Sequence, residues 1–342
     1  MTGSPTGRAP LPVPVLDIGG THVTAALVDS AASRVLPSTV VRTPLRSDAE
    51  ADVVLDAVAA AALALPAGHG PLWGVAMPGP FDYATGVGRF EGMGKFESLS
   101  GVDVGAGLRA RLGGRAERLC FLNDADAFAV GECHSGAAAG HDRVVCLTLG
   151  TGVGSSFLSR GRPVHSGPVV PPSGHVHRLT VHGRPLEDTV SRRGLRAHYA
   201  ALRGAGAPGV GGAGAFAGAF AEADAETPTR SAIRSGADDA ILPDVREIAA
   251  RAGKGEAAAG EAFRYAFDAL GRALAPWIDH FEATAVIIGG SVARSWDLIH
   301  PALTAGLASA GGRRVLVLPA RRPEEAPLLG AAHWAREAGD AP

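Results

Sequence analysis

Hydrophobic residues in this chain gather into short runs that stop abruptly at glycine or at a carboxylate. The clearest is Cys120-Phe-Leu-Asn-Asp-Ala-Asp-Ala127, an apolar run that ends in Asn123 and Asp124. Such a run predicts a buried strand whose carboxyl end opens into a crevice, where open α/β sheets place their ligands. Val13, Val15, Leu16 and Ile18 lead into Gly19-Gly20-Thr21, and Val23, Ala25, Leu27 and Val28 continue beyond it, predicting a β-hairpin tipped by glycine. Further strands are expected at 72–77, 116–122, 144–149, 284–288 and 315–318. Helices are expected at 48–65, 101–112, 125–135, 191–202, 244–253, 256–281 and 296–307, with a closing helix beginning near Ala326 and Glu132 facing outward. The strand at 144–149 runs into Gly150-Thr151-Gly152-Val153-Gly154, so the strand and glycine turn of residues 13–20 recur about 130 residues later. That recurrence predicts two similar domains, each contributing one turn to a shared cleft.

Length agrees, since 342 residues suit about two domains. The formal net charge of −2 gives no reason to expect a nucleic acid or an anionic membrane as partner. Lys95 and Lys254 are the only lysines, and with the abundant Ala and Gly this reads as a habit of composition. Three cysteines, Cys120, Cys133 and Cys146, lie in or near apolar runs and read as reduced core thiols, which points to the cytoplasm. Residues 1–12 are Pro/Gly/Ser/Thr-rich and are expected to be a disordered leader, too short for a DNA-binding module and without the apolar core of a signal peptide. No apolar run of about 18 residues suggests a membrane span. Residues 203–235 are low-complexity Gly/Ala and carry no assigned chemistry.

The chemistry is concentrated at the glycine turns. Bare N–H groups of Gly19, Gly20 and Thr21, and of Gly150, Thr151 and Gly152, could point at phosphate oxygens that a side chain would hold away. A plain hairpin turn explains the first motif equally well. Asp17 would be repelled by phosphate and is better suited to holding a Mg²⁺ ion through a water. Asp124, a carboxylate between the two turns in sequence, is the candidate general base for phosphoryl transfer to a hydroxyl; Asp126 is its rival and is expected to be structural. The loop 78–100, which contains Gly79 and Lys95, is long enough to form part of an acceptor site. His175 and His177, two apart, would share one face of a strand and with His182 could bind a metal, although hydroxyl contacts explain them equally well. Glu187 is a candidate contact for an acceptor hydroxyl, or simply a carboxylate at a helix N-terminus. Gly289 and Gly290 follow a strand and could admit the face and ribose of a nucleotide.

Taken together, Asp17-Ile-Gly-Gly-Thr21, Pro78-Gly-Pro-Phe-Asp82, Asn123-Asp124-Ala-Asp-Ala127, Leu149-Gly-Thr-Gly-Val-Gly154, Gly174-His175, Ile288-Gly-Gly290 and Leu329-Gly-Ala-Ala332 resemble the ROK family of sugar kinases and repressors. The resemblance spans nearly the whole chain in the family's order. It implies an α/β fold of two actin-like (ribonuclease H-like) domains with a hinged interdomain cleft, ATP and Mg²⁺ as cofactors, a sugar or sugar-like polyol as acceptor, and a homodimer. It also implies Asp124 as base and Asn123, His175 and Glu187 on the acceptor, to which Gly79 of the loop 78–100 is added as a candidate. The expected division is a small domain at 13–124, a large one at 125–330, and a closing helix at 331–342 that returns toward the small domain.

Two departures stand out. Members commonly carry Glu-Ile-Gly-His where this chain has Pro172-Ser-Gly-His175, so one sugar-accepting carboxylate is missing. They commonly carry a three-cysteine zinc motif where this chain has Val181-His-Gly-Arg-Pro-Leu-Glu187, so no structural zinc is expected. A site built to bond a hydroxyl discriminates strongly, and the missing carboxylate therefore points away from plain glucose and toward a modified sugar or a C7-cyclitol. A non-catalytic sugar sensor and an acetate-kinase-like enzyme are the other readings.

Overall fold

The computed structural model of the protein describes residues 10–181, 183–205 and 242–340. Most of the expected leader, His182 and most of the Gly/Ala stretch lie outside the described residues. The chain divides into two compact units, one holding the chain up to Cys146, Leu158–Pro163 and the chain from Ala320 on, the other holding Leu147–Phe157 and Val164–Pro319.

The first unit is built on a sheet ordered Arg34–Val35, His22–Asp29, Val13–Ile18, Leu72–Met77, Arg118–Asn123, with Val41–Pro44 also paired to His22–Asp29. The predicted hairpin forms, Val13–Ile18 running antiparallel to His22–Asp29. Val13–Ile18, Leu72–Met77 and Arg118–Asn123 run parallel, with Asp17 opposite Ala76 and Met77 opposite Asn123. Strand alternation then sends Leu16, Ile18, Val75 and Phe121 to one face, against Val54, Leu55 and Val58 of the helix Ala51–Leu63. Val15, Ala76, Cys120 and Leu122 face the other way, against Leu328, Leu329 and Ala332 of the helix Ala326–Asp340. Burying each such Leu contributes about 1.5–3 kcal/mol.

Glycines set how closely that last helix approaches. A methyl at Gly330 would strike the Ala127 carbonyl, one at Gly131 the Ala326 carbonyl, and one at Gly74 the Ala331 carbonyl. This contact joins the helix Asp124–Ser135 and the chain from Ala320 on to the first unit, so the unit extends past the expected boundary at 124/125. Glu132 is a correction of the same origin. It is fully buried, not outward-facing. Its carboxylate accepts from the backbone N–H groups of Ala137 (2.6 Å), Arg321 (3.1 Å) and Arg322 (2.9 Å), which satisfies the charge locally.

The sheet of the second glycine turn is ordered Arg162–Pro163, Val153–Ser159, Arg143–Leu149, Ala285–Gly289, Leu316–Pro319. The plan matches the first sheet: a short edge strand, the strand after a glycine turn, the strand before it, then two strands from later in the chain. Ala285–Gly289 and Leu316–Pro319 are parallel. The helices Ala257–Phe281 and Trp296–Ser309 pack through Gly271 and Gly306, where a methyl on either would meet the other helix's backbone. Among the described residues no helix is long and apolar enough to cross a membrane.

Candidate active site

Three neighbouring parallel strands deliver the first group of predicted residues. Because Val13–Ile18, Leu72–Met77 and Arg118–Asn123 end on the same side of their sheet, Asp17 with Gly19, Gly20 and Thr21, then Gly79, then Asn123 and Asp124 are gathered there. Asn123 ends its strand and caps the helix Asp124–Ser135, its Oδ1 accepting from Ala125 N–H at 2.9 Å. Its Nδ2 donates to Tyr83 Oη at 2.9 Å, and Tyr83 donates to the Met77 carbonyl at 3.1 Å. Asn123 thus keeps one amide hydrogen for a ligand. A methyl on Gly79 would stand 3.2 Å from Tyr83 Oη and 3.7 Å from Asn123 Nδ2, so glycine is what keeps this group uncovered.

Asp17 has its pKa pushed up to about 7, first by burial and then by the charge of Asp124, with Arg42 pulling it down. Asp124 is also raised, by the protein packed around it and by Asp126, against Lys95 and the Ala125 N–H. Asp124 as a residue is exposed, although protein packed around its carboxylate raises its pKa, so an acceptor hydroxyl has access to it. Asp126 is buried. A cavity of about 210 Å³ opens beside Asp17, lined also by Gly19, Thr21, Thr24 and Arg42. The charge of Asp124 acting on Asp17 is an electrostatic setting that a divalent cation would relieve, and Mg²⁺ takes one or two carboxylates.

The second unit gathers its own group. Gly150 N–H donates to the Gly152 carbonyl at 3.0 Å, closing the turn, and Arg192 N–H donates to the Gly150 carbonyl at 2.9 Å. Glu187 lies over this turn, where a methyl on Gly152 would come within 2.6 Å of its Oε1. Gly290 has φ +84° and a methyl there would strike the backbone of Leu149, so close packing already accounts for that glycine. Gly289 ends the strand Ala285–Gly289.

His175 and His177 do not lie on a strand. The segment is two 3-10 turns, Pro172–Gly174 and Val176–Arg178, with Ser173 at φ 58° and Gly174 at φ 69°. The expectation failed because positive φ at two successive residues cannot continue an extended chain. The turns nevertheless bring the two rings to 4.9 Å. Ser155 pins the segment, its Oγ donating to the Gly174 carbonyl at 2.7 Å and accepting from Val176 N–H at 3.0 Å. Ser155 and Tyr83 were missed in the sequence, where a lone Ser or Tyr carries no signal. Lys95 and Arg42, which act on the acids, had one: lysine is rare in this chain, and Arg42 alternates outward on its strand.

Comparison with known proteins agrees with this architecture. The sequence profile of the ROK family matches residues 14–338. A glucokinase of Thermotoga maritima is 28% identical over 297 residues, 83% of this chain and 83% of its own. The structure of a ROK hexokinase from Thermus thermophilus has a TM-score of 0.70 and 25% identity, covering 97% of this chain and 100% of that one. A ROK family glucokinase from Streptomyces griseus, solved in complex with glucose and AMPPNP, has a TM-score of 0.70 and 24% identity over 95% of this chain and 99% of its own. The fold is that of these kinases, α/β with two actin-like domains.

Proposed function

The chain belongs to the ROK family, and from that premise we propose that it is an ATP-dependent kinase of a sugar or sugar-like polyol, with Asp124 as general base. The observation that supports this most is the position of Asp124. It follows the last residue of the strand Arg118–Asn123, on the side of the sheet where Asp17 and the Gly19-Gly20 turn also lie, with its pKa raised and the residue exposed. A base of raised pKa accepts a proton more readily near neutrality.

In this reading Gly20 and Thr21 present N–H groups to the donor's phosphates, and Thr151 and Gly152 do the same in the second unit, while the N–H groups of Gly19 and Gly150, expected on phosphate, instead close their own turns on the carbonyls of His22 (2.8 Å) and Gly152 (3.0 Å). Gly289 and Gly290 lie against the nucleoside. Asn123, with its amide aimed by Tyr83, holds an acceptor hydroxyl alongside Gly79 in the first unit, and His175 and Glu187 are the candidates for acceptor hydroxyls in the second. Asp124 orients the attacking hydroxyl and takes its proton. Asp17 would hold Mg²⁺ through a water, and the ion would offset the donor's charge. Such transfer depends mainly on alignment and charge stabilisation rather than on covalent chemistry by the protein.

The acceptor class is proposed from Pro172, which stands where the family resemblance leads one to expect a glutamate. A modified sugar or a C7-cyclitol is the proposed acceptor, and glucose turned over as fast as every other polyol tested would count against it. The experiment is Mg²⁺- and ATP-dependent ADP release across hexoses, amino sugars and cyclitols, run beside Asp124→Asn. The variant is expected to lose about 10²- to 10⁴-fold in turnover while still binding Mg-ADP. No turnover with any acceptor, with Mg-ADP still bound, would favour a non-catalytic sugar sensor.

A further inference from the structure

Lys95 is placed with unusual care for a loop residue. It sits between Gly94, at φ 71°, and Phe96, at φ 56°, a conformation that a bulky side chain rarely adopts. The neighbours impose it. Phe96 is fully buried and packs its ring 5.4 Å from that of Phe90, and its N–H donates to the Ser47 carbonyl at 2.7 Å. Gly94 N–H donates to Glu97 Oε1 at 2.7 Å, pulling the loop tight on the other side of Lys95. Strain held in this way by surrounding structure is found at functional sites more than elsewhere.

The side chain that this loop presents is half-buried and reaches toward the first glycine turn, its Cδ 4.0 Å from where a methyl on Gly20 would stand. It also lies within electrostatic reach of Asp124, yet no hydrogen bond or ion pair among the described residues engages it. Lys254, the other lysine, is exposed at the C-cap of the helix Val245–Gly253. In a chain whose other basic side chains are all arginine, the one lysine beside the base is a compact charge on a flexible stem. Such a charge can follow a group that moves, which the rigid fork of arginine does less well.

We propose that Lys95 is a catalytic residue that binds the non-bridging oxygens of the phosphoryl group as it passes from the donor at the Gly19-Gly20 turn to the acceptor hydroxyl at Asp124. The inference rests on the kinase reading and adds a residue to it. In the step, the acceptor oxygen forms a bond to the γ-phosphorus while the bond from that phosphorus to the bridging oxygen breaks. The electron pair leaves with ADP and the acceptor proton goes to Asp124. Lys95 keeps its proton throughout and offsets charge on the oxygens in flight. The same cation could instead meet a phosphate or carboxylate already on the acceptor, and the test separates the two.

Full-length unaltered protein, Lys95→Ala and Lys95→Arg are titrated with Mg-ADP alone and with Mg-ADP plus aluminium fluoride, a mimic of the transferring group, with thermal melts as a folding control. Lys95→Ala is expected to bind Mg-ADP within about twofold of the unaltered protein but to lose more than about tenfold for the fluoride complex, with Lys95→Arg intermediate. In turnover, kcat with a neutral polyol should fall while the KM for ATP stays. Equal binding of the fluoride complex by Lys95→Ala and the unaltered protein, or an unchanged kcat, would overturn the assignment. A loss confined to gluconate or a sugar phosphate, with neutral polyols unaffected, would also overturn it and move Lys95 to the acceptor's own charge. Failure of the unaltered protein to bind Mg-ADP would remove the kinase reading itself, and this inference with it.

Discussion

Gly19-Gly20-Thr21 and Gly150-Thr151-Gly152 follow the same strand-then-glycine pattern, but the protein around them uses their glycines differently. A methyl on Gly20 would meet nothing closer than Ser47 Oγ at 3.9 Å and Lys95 Cδ at 4.0 Å, which is ordinary contact. Nothing in the protein requires glycine there. A methyl on Gly152 would meet Glu187 Oε1 at 2.6 Å, so there the tip of a neighbouring side chain covers the position. Gly20 in the first turn is therefore left uncovered by protein atoms, while Gly152 in the second lies under one of the protein's own carboxylates. One motif sits in two settings, and local sequence does not tell them apart.

The strongest way to break this comparison is Gly20→Ala. Melting temperature should stay close to that of the unaltered protein, while Mg-ADP affinity falls by about tenfold or more, equivalent to about 1.4 kcal/mol. Calorimetric titration checks it, and unaltered affinity would mean that the bare surface of the first turn is not read by phosphate.

Gly152→Ala should act the other way round. It must swing the tip of the flexible Glu187 side chain aside, so acceptor KM is expected to rise by about tenfold with Mg-ADP affinity less affected, while stability changes by less than about 1 kcal/mol. Glu187→Ala should raise acceptor KM on its own, and adding Gly152→Ala should raise it little further, because both act on the same carboxylate. Acceptor KM across the four proteins in the cycle measures the coupling. Gly150→Ala sharpens the question further. Its methyl would stand 3.7 Å from Ser291 Oγ, so the fold should tolerate it, and any loss of Mg-ADP affinity would report phosphate contact by the second turn directly.

The smallest expected effect concerns the support behind the first turn. His333 and His134 stack at 3.7 Å between the helices Ala326–Asp340 and Asp124–Ser135, and His333 Nε2 lies 3.2 Å from Ser33 Oγ. Burial, then His134 and Arg336, push the His333 pKa down to about 4. The folded state therefore resists a proton that the unfolded chain accepts near the ordinary value of 6.5. Stability from this site should be complete above about pH 6.5 and fall as pH drops toward about 4, by about 1 kcal/mol after solvent screening of a half-buried ring. Melting curves of His333→Gln should show a flatter acid slope, and a slope equal to that of the unaltered protein would remove the pair from the account.

Much of the fold was legible in the sequence. The hairpin at residues 13–28, the strand Leu72–Met77 and the stop at Asn123-Asp124 all depend on local alternation and on where apolar runs end. Glu132 was not legible: an acidic residue on a helix reads as solvent-facing, and its partners are the N–H groups of Arg321 and Arg322, nearly two hundred residues away. The turn at His175 was hidden for a similar reason, because Ser155, far from it in sequence, ties it down at both ends.

The sequence by itself determined where the strands end and that glycine or a carboxylate stands at each end. Those features need only near neighbours, through the two-residue period of a strand and the backbone freedom of glycine. Tertiary structure alone decided which acids have raised pKa values, why each glycine is required, and that a strained loop brings Lys95 toward Gly20 and Asp124. Each of these depends on desolvation or contact among residues far apart in the chain, which no local pattern encodes.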